Sequence, residues 1–189
     1  MHNVPTMIKD QIQAHQDITE KLHALVPAIE TIASRLIEAT AQNKTIFWCG
    51  NGGSAADAQH LAAELVGRFQ KNRRAIRSIA LTTDTSIITA ISNDYGFKAL
   101  FTRQLEALGQ DGDILMALST SGNSDNVNNA VAFANENKID TIALSGKDGG
   151  KLNAIADIAL IIPSETTARI QEMHILIGHI LCQAIEDSL

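Results

Sequence analysis

His60 and Glu64 stand four residues apart in a stretch of helical composition, Ser54 to Glu64, so a helix would set both on one face. An imidazole and a carboxylate so placed can pass a proton between them or reach one metal ion from adjacent turns. The spacing suits either use, and both need partners from elsewhere in the chain. A second source is the segment Arg169-Ile170-Gln171-Glu172-Met173-His174-Ile175-Leu176-Ile177-Gly178-His179. It is apolar nearly all round, as a buried helix is, yet it carries two histidines and a glutamine. Gln171 and His179 are eight residues apart, about 12 Å of helix rise and about 80° around the axis. One ion would hold both only at full stretch, unless a neighbouring subunit supplies part of the site.

Two turns could hold an anion. Cys49-Gly50-Asn51-Gly52-Gly53-Ser54 follows the apolar run Thr45-Ile46-Phe47-Trp48 and enters the helix that carries His60. A strand, a glycine-rich turn and a helix N-terminus present bare amides to negative charge. Ser119-Thr120-Ser121-Gly122-Asn123-Ser124 offers four hydroxyls in six residues, a glycine for close backbone approach, and Ser124 as a candidate helix cap. Its hydroxyls make it the better phosphate clamp. The first turn then holds sugar hydroxyls through Asn51, Gly52 and Gly53. Neither a Walker sequence nor GxGxxG is present, so a nucleotide is not the favoured ligand. Asn93-Asp94-Tyr95-Gly96 reads as a turn, and Asp94 could accept hydrogen bonds from sugar hydroxyls.

These groups need a scaffold that brings strand ends together. Short apolar runs at 45–49, 78–83, 113–119, 140–145 and 157–162 alternate with helical stretches at 54–69, 85–92, 97–108, 124–136, 150–155 and 166–187. Strands of this kind are covered on both faces. The alternation predicts an α/β doubly wound sandwich around a five-stranded parallel sheet, with ligands at the carboxyl ends of the strands. The polar turns at 50–54, 119–124 and 146–150 all fall on that edge. Residues 1–42 read as an N-terminal helical arm broken at Pro27, with Ile29 to Ala41 as a second helix, ahead of a domain at 43–189. Such an arm has little of its own domain to cover it, and another subunit is the natural outlet for its apolar face.

Composition narrows the class. The 189 residues are 45% apolar and 19% charged, with a net charge of −6. That balance argues against an obligate nucleic-acid binder or an anionic membrane surface. The basic cluster Lys71-Asn72-Arg73-Arg74 reads as a solvated loop. Cys49 and Cys182 sit in apolar runs and make no disulfide framework, as expected of buried thiols in a reducing compartment. No apolar run reaches the roughly 20 residues of a membrane span. The first residues lack a signal peptide's apolar stretch, which makes the cytoplasm the expected location.

Taken together, Cys49 to Ser54, Asp57-Ala58-Gln59-His60, Ala63-Glu64-Leu65-Val66-Gly67-Arg68, Asn93 to Gly96, Ser119 to Ser124, Gly146-Lys147-Asp148-Gly149-Gly150 and Arg169 to His174 resemble sugar isomerase (SIS) domains, and more narrowly the bacterial phosphoheptose isomerases. The resemblance implies a cytoplasmic homotetramer with sites between subunits. It implies sugar-phosphate contacts from Asn51, Gly52, Gly53, Glu64, Asn93, Asp94, Ser119, Thr120, Ser121, Ser124 and Gln171. It also implies one zinc per subunit on His60, Glu64, Gln171 and His179. The position three before the glutamine, aspartate in some members, is Ala168 here. The implied reaction converts sedoheptulose 7-phosphate to D-glycero-D-manno-heptose 7-phosphate through an enediol, the first step toward ADP-heptose and the lipopolysaccharide core. Glu64 is the candidate base and His179 the candidate acid. The alternative is a non-catalytic relative of the same fold that binds the replication initiator; it lacks the catalytic pair that Glu64 and His179 supply here. A sensor or isomerase for an amino-sugar phosphate is a third possibility, weakened by the absence of a glutaminase domain.

Overall fold

A computed structural model describes residues 3–189. Five strands, β1 (Ile46–Gly50), β2 (Ser78–Ala80), β3 (Ile114–Ser119), β4 (Asp140–Gly146) and β5 (Ile158–Ile162), form one all-parallel sheet in the order β2-β1-β3-β4-β5. The predicted five-stranded doubly wound sandwich is what forms. Its helices are α1 (Val4–Lys21), α2 (Val26–Ala41), α3 (Gly53–Val66), α4 (Thr85–Asp94), α5 (Leu100–Leu108), α6 (Asp125–Glu136), α7 (Gly150–Ile155) and α8 (Thr167–Asp187).

Alternation along the strands divides the core in two. Ile46, Trp48, Ile114, Met116, Leu118, Ile142 and Leu144 face a layer made by α1, α2, α3 and α8. Phe47, Cys49, Leu115, Ala117 and Ala143 face α5, α6 and α7. Continuous apolar runs are therefore required in the central strands β1 and β3, where each residue is buried on one side or the other. Both cysteines are free and buried. Burial in apolar surroundings pushes each thiol up to about 12.

The N-terminal region behaves differently along its length. The break falls at a 3-10 turn, Leu22–Leu25, and Pro27 lies inside the first turn of α2, where its missing N–H costs nothing. From Ile18 onward the arm buries Leu22, Ile29, Ile32 and Leu36 in the chain's own core, contrary to the expectation that it has little to pack on. Its first turns keep apolar side chains exposed at Val4, Met7, Ile8 and Ile12, as does Val26 at the start of α2. No helix is long and apolar enough to cross a membrane among the described residues.

Candidate active site

The order of the sheet creates the site. β1 and β3 are neighbours, but the chain leaves β1 for α3 on one face and leaves β3 for α6 on the other. A crevice opens at such a switch point, outside the carboxyl ends of the strands. Asn51 and Asn126 close its floor with a reciprocal amide pair: each Nδ2 donates to the other's Oδ1, at 2.8 and 2.9 Å. Sequence reasoning found Asn51 but not Asn126, whose role depends on a partner 75 residues away.

On one side of the crevice, α3 and α8 run side by side in the same direction. Gln171 lies against Gly53, Gly178 against Leu61, and His179 against His60. A Cβ at Gly53 would fall on the Gln171 amide, and one at Gly178 would approach Leu61 Cδ1 to 2.5 Å. Glycines at these positions let the two helices approach closely. His179 and His60 then meet with Nε2 atoms 2.9 Å apart and rings edge to face at 5.1 Å. Glu64 Oε1 is 3.4 Å from His60 Nε2. The His60 side chain is half exposed and that of Glu64 about a fifth, at 50% and 22%. The proton between the two imidazoles belongs to one ring or the other, and the acceptor ring presents a lone pair.

His60, Glu64 and His179 are thus brought together, while Gln171 stands two turns back along the groove at Gly53. The donor types suit zinc: an imidazole nitrogen of His179 and a carboxylate oxygen of Glu64 both lie close to His60 Nε2. Bonds of about 2.0–2.1 Å in a tetrahedron separate donors by about 3.4 Å, which His60 and Glu64 already match. The two imidazoles sit closer, at hydrogen-bond distance. Among the described residues no trio of His, Cys, Asp and Glu is already spaced as a metal centre. Asp57, one turn before His60, is partly buried with Oδ2 unpartnered; burial raises its pKa and the field of His60 lowers it.

The hydroxyl-rich turn is built as a second wall. Ser119 is buried, with Oγ 3.1 Å from Ser124 Oγ. Ser124 is the N-cap of α6 by position, but no side-chain cap bond forms, because its hydroxyl faces Ser119 instead. Thr120 and Ser121 are half-buried. Gly122 has φ +64°, and a Cβ there would strike the Gly149 carbonyl, so this turn and the β4–α7 loop meet backbone to backbone. A cleft of about 340 Å³ lies between Ser121, Asn123, Lys147, Asp148 and Glu165.

Asn93 and Asp94 form the last turn of α4 rather than a free turn; Gly96, at φ +83°, lies just beyond the helix end. Asn93 Nδ2 donates to Asp94 Oδ1 at 2.7 Å, and both are exposed. Among the described residues no hydrogen bond joins them to the His60 cluster. His174 separates from His179 in role: it is fully buried, its Nε2 donates to the Ser145 carbonyl at 3.1 Å, and it serves the core. Phe69, whose ring stacks on His179 at 5.6 Å and 21°, was missed by sequence reading.

The chain matches the family profile of the SIS domain over residues 11–146. It is similar to the phosphoheptose isomerase of Helicobacter hepaticus, 52% identical over 96% of this chain and 92% of that one. It is also similar to that of Nitratiruptor sp., 53% identical over 96% and 97%. The solved phosphoheptose isomerase of Neisseria gonorrhoeae superposes with a TM-score of 0.93 at 42% identity, covering 98% of this chain and 100% of that one. For the Francisella tularensis phosphoheptose isomerase the values are 0.95, 37%, 99% and 100%. With its switch-point crevice and the Glu64–His60–His179 cluster, the chain belongs to the SIS domain family, among the phosphoheptose isomerases.

Proposed function

We propose that this protein isomerises sedoheptulose 7-phosphate to D-glycero-D-manno-heptose 7-phosphate. The observation that carries the reading is the meeting of Glu64 and His179 around His60, at one side of a crevice whose other wall is a hydroxyl-rich turn. A 2-ketose becomes an aldose when a proton leaves C1 and one arrives at C2, through an enediol. Glu64 takes the C1 proton and returns it at C2; His179 moves the proton between the two oxygens. Ser119, Thr120, Ser121 and Ser124 hold the phosphate. Asn51, Gly52, Gly53, Asn93, Asp94 and Gln171 hold the sugar.

We place zinc on His60, Glu64 and His179; Gln171, two turns back against Gly53, would complete the set only by leaving that contact. When bound, the metal polarises the substrate carbonyl. A carboxylate on a metal is a weaker base, and an imidazole nitrogen on a metal neither gives nor takes a proton, so ligand and proton carrier are competing roles for both Glu64 and His179. The proposal extends to a cytoplasmic homotetramer whose product feeds heptose synthesis for the lipopolysaccharide core. The exposed apolar turns of α1 supply a surface for such assembly.

The test is turnover of sedoheptulose 7-phosphate with and without added zinc. Product should form, and Glu64→Gln and His179→Gln should each abolish it with the fold intact. Absence of product from the unaltered chain under both conditions overturns the isomerase reading. Activity retained in either variant removes that residue from its role.

A further inference from the structure

The last turn of α8 holds a carboxylate that the proposed chemistry does not use. Glu186 is buried, its side chain 1% exposed, and accepts three successive backbone amides: Phe69 N at 3.1 Å, Gln70 N at 2.8 Å and Lys71 N at 2.7 Å. Arg73 Nε lies 3.2 Å from Oε1, the oxygen that also accepts the Phe69 amide, with the Arg73 side chain 6% exposed. The Arg73 guanidinium in turn donates to the carbonyls of Glu64, Leu65 and Gly67 at the end of α3, at 2.7, 2.8 and 3.1 Å. In the cluster read as a solvated basic loop, Lys71, Asn72 and Arg74 are exposed as expected, but Arg73 is a buried knot. It ties the end of the helix bearing His60 and Glu64 to the end of the helix bearing His179.

The first amide in the Glu186 cradle belongs to Phe69, and its ring is the one stacked on His179. An imidazole on a helix has a freely turning χ2 unless something packs on its face. His60 contacts His179 through the two Nε2 atoms with the rings 74° apart, so it is not stacked on it. The ring against the face is Phe69. A backbone fixed by Glu186 thus sets the plane of the imidazole that moves the proton.

We propose that Phe69, held in place by Glu186, is a positioning residue that orients His179 for proton transfer. The inference rests on the isomerase reading above, with His179 as the group that serves the oxygens. Reacting groups misplaced by about 1 Å lose up to about a hundredfold in rate. Loss of the stacked ring should therefore lower kcat while leaving the substrate walls, and hence KM, unchanged.

The experiment is steady-state kinetics on the full chain with zinc present, alongside thermal unfolding. The set comprises the unaltered protein, Phe69→Leu, Phe69→Tyr, Glu186→Gln and the double variant Phe69→Leu/Glu186→Gln. Phe69→Leu keeps apolar volume and should lower kcat at least about tenfold with KM within about twofold and the melting midpoint within about 3 °C. Phe69→Tyr restores the ring and should recover kcat to within about threefold. Glu186→Gln should show the same split, and the double variant should be no slower than the slower single, because both act through one ring. An inactive unaltered protein overturns the isomerase reading and this inference with it. An active one with normal kcat in Phe69→Leu overturns the inference alone. So does a loss that Phe69→Tyr fails to restore, or one that appears in KM.

Discussion

His174 makes the chain's stability depend on pH in a way that can be worked out in advance. Its ring is fully buried and hydrogen-bonded to the Ser145 carbonyl. Burial pulls its pKa from 6.5 down to about 4, and the bond to Ser145 only partly opposes this. Between those values the unfolded chain takes up a proton that the native chain refuses, so stability falls as pH falls. Linkage then removes about 2–3 kcal/mol on going from pH 7.5 to pH 4.5. Carboxylates add their own slopes, so the measurement is a difference. His174→Gln keeps an N–H for Ser145 and removes the titrating ring. Its packing cost, about 1–3 kcal/mol, should be present near neutrality. Urea unfolding of both proteins across this range should show the stability gap closing by about 2–3 kcal/mol as the solution is acidified. Parallel pH profiles in the two proteins would refute the reasoning, because no charge would then be excluded at that site.

Other outcomes follow from the same geometry. Gly122→Ala forces a side chain into φ +64° and onto the Gly149 carbonyl, so it should lose at least about 2 kcal/mol in urea unfolding. Because that turn is the proposed phosphate clamp, any folded fraction should show a raised KM. Cys49 and Cys182 are buried, with thiols pushed up to about 12, so a thiol reagent at mildly alkaline pH should label neither in the native protein and both after unfolding. Labelling of Cys182 without unfolding would mean that α8 opens locally.

The sheet was legible because its signals are local. Each strand is a short apolar run ended by turn residues, and the burial of alternate residues on opposite faces explains why no polar positions interrupt them. His60 and Glu64 were legible for the same reason, since four residues on a helix fix their relation. What the chain does across space was not. The meeting of His179 with His60 depends on α3 and α8 running in parallel, which spacing within α8 cannot reveal. Arg73 looked like one more surface cation because its partner, Glu186, is 113 residues away, and its other contacts are backbone carbonyls that carry no residue signature. Pro27 marked the neighbourhood of the helix break. The position of that break, at Leu22–Leu25, is set by packing on the core.

The knot at Glu186 belongs to α8, which follows every strand in the sequence, and this constrains how the domain is made. One face of the sheet is covered by α2, α3 and α8 together, with Ile170, Met173, Ile177, Leu181 and Ile185 all in that core. While the chain is being synthesised, that face stays only partly covered until α8 has emerged. The proposed acid and the carboxylate of the cradle both arrive with this helix, after every strand. A chain cut before Glu186 has the whole sheet and no clamp. Folding of this domain therefore waits on α8, and chains that lack it expose apolar sheet to degradation before a competent site can form.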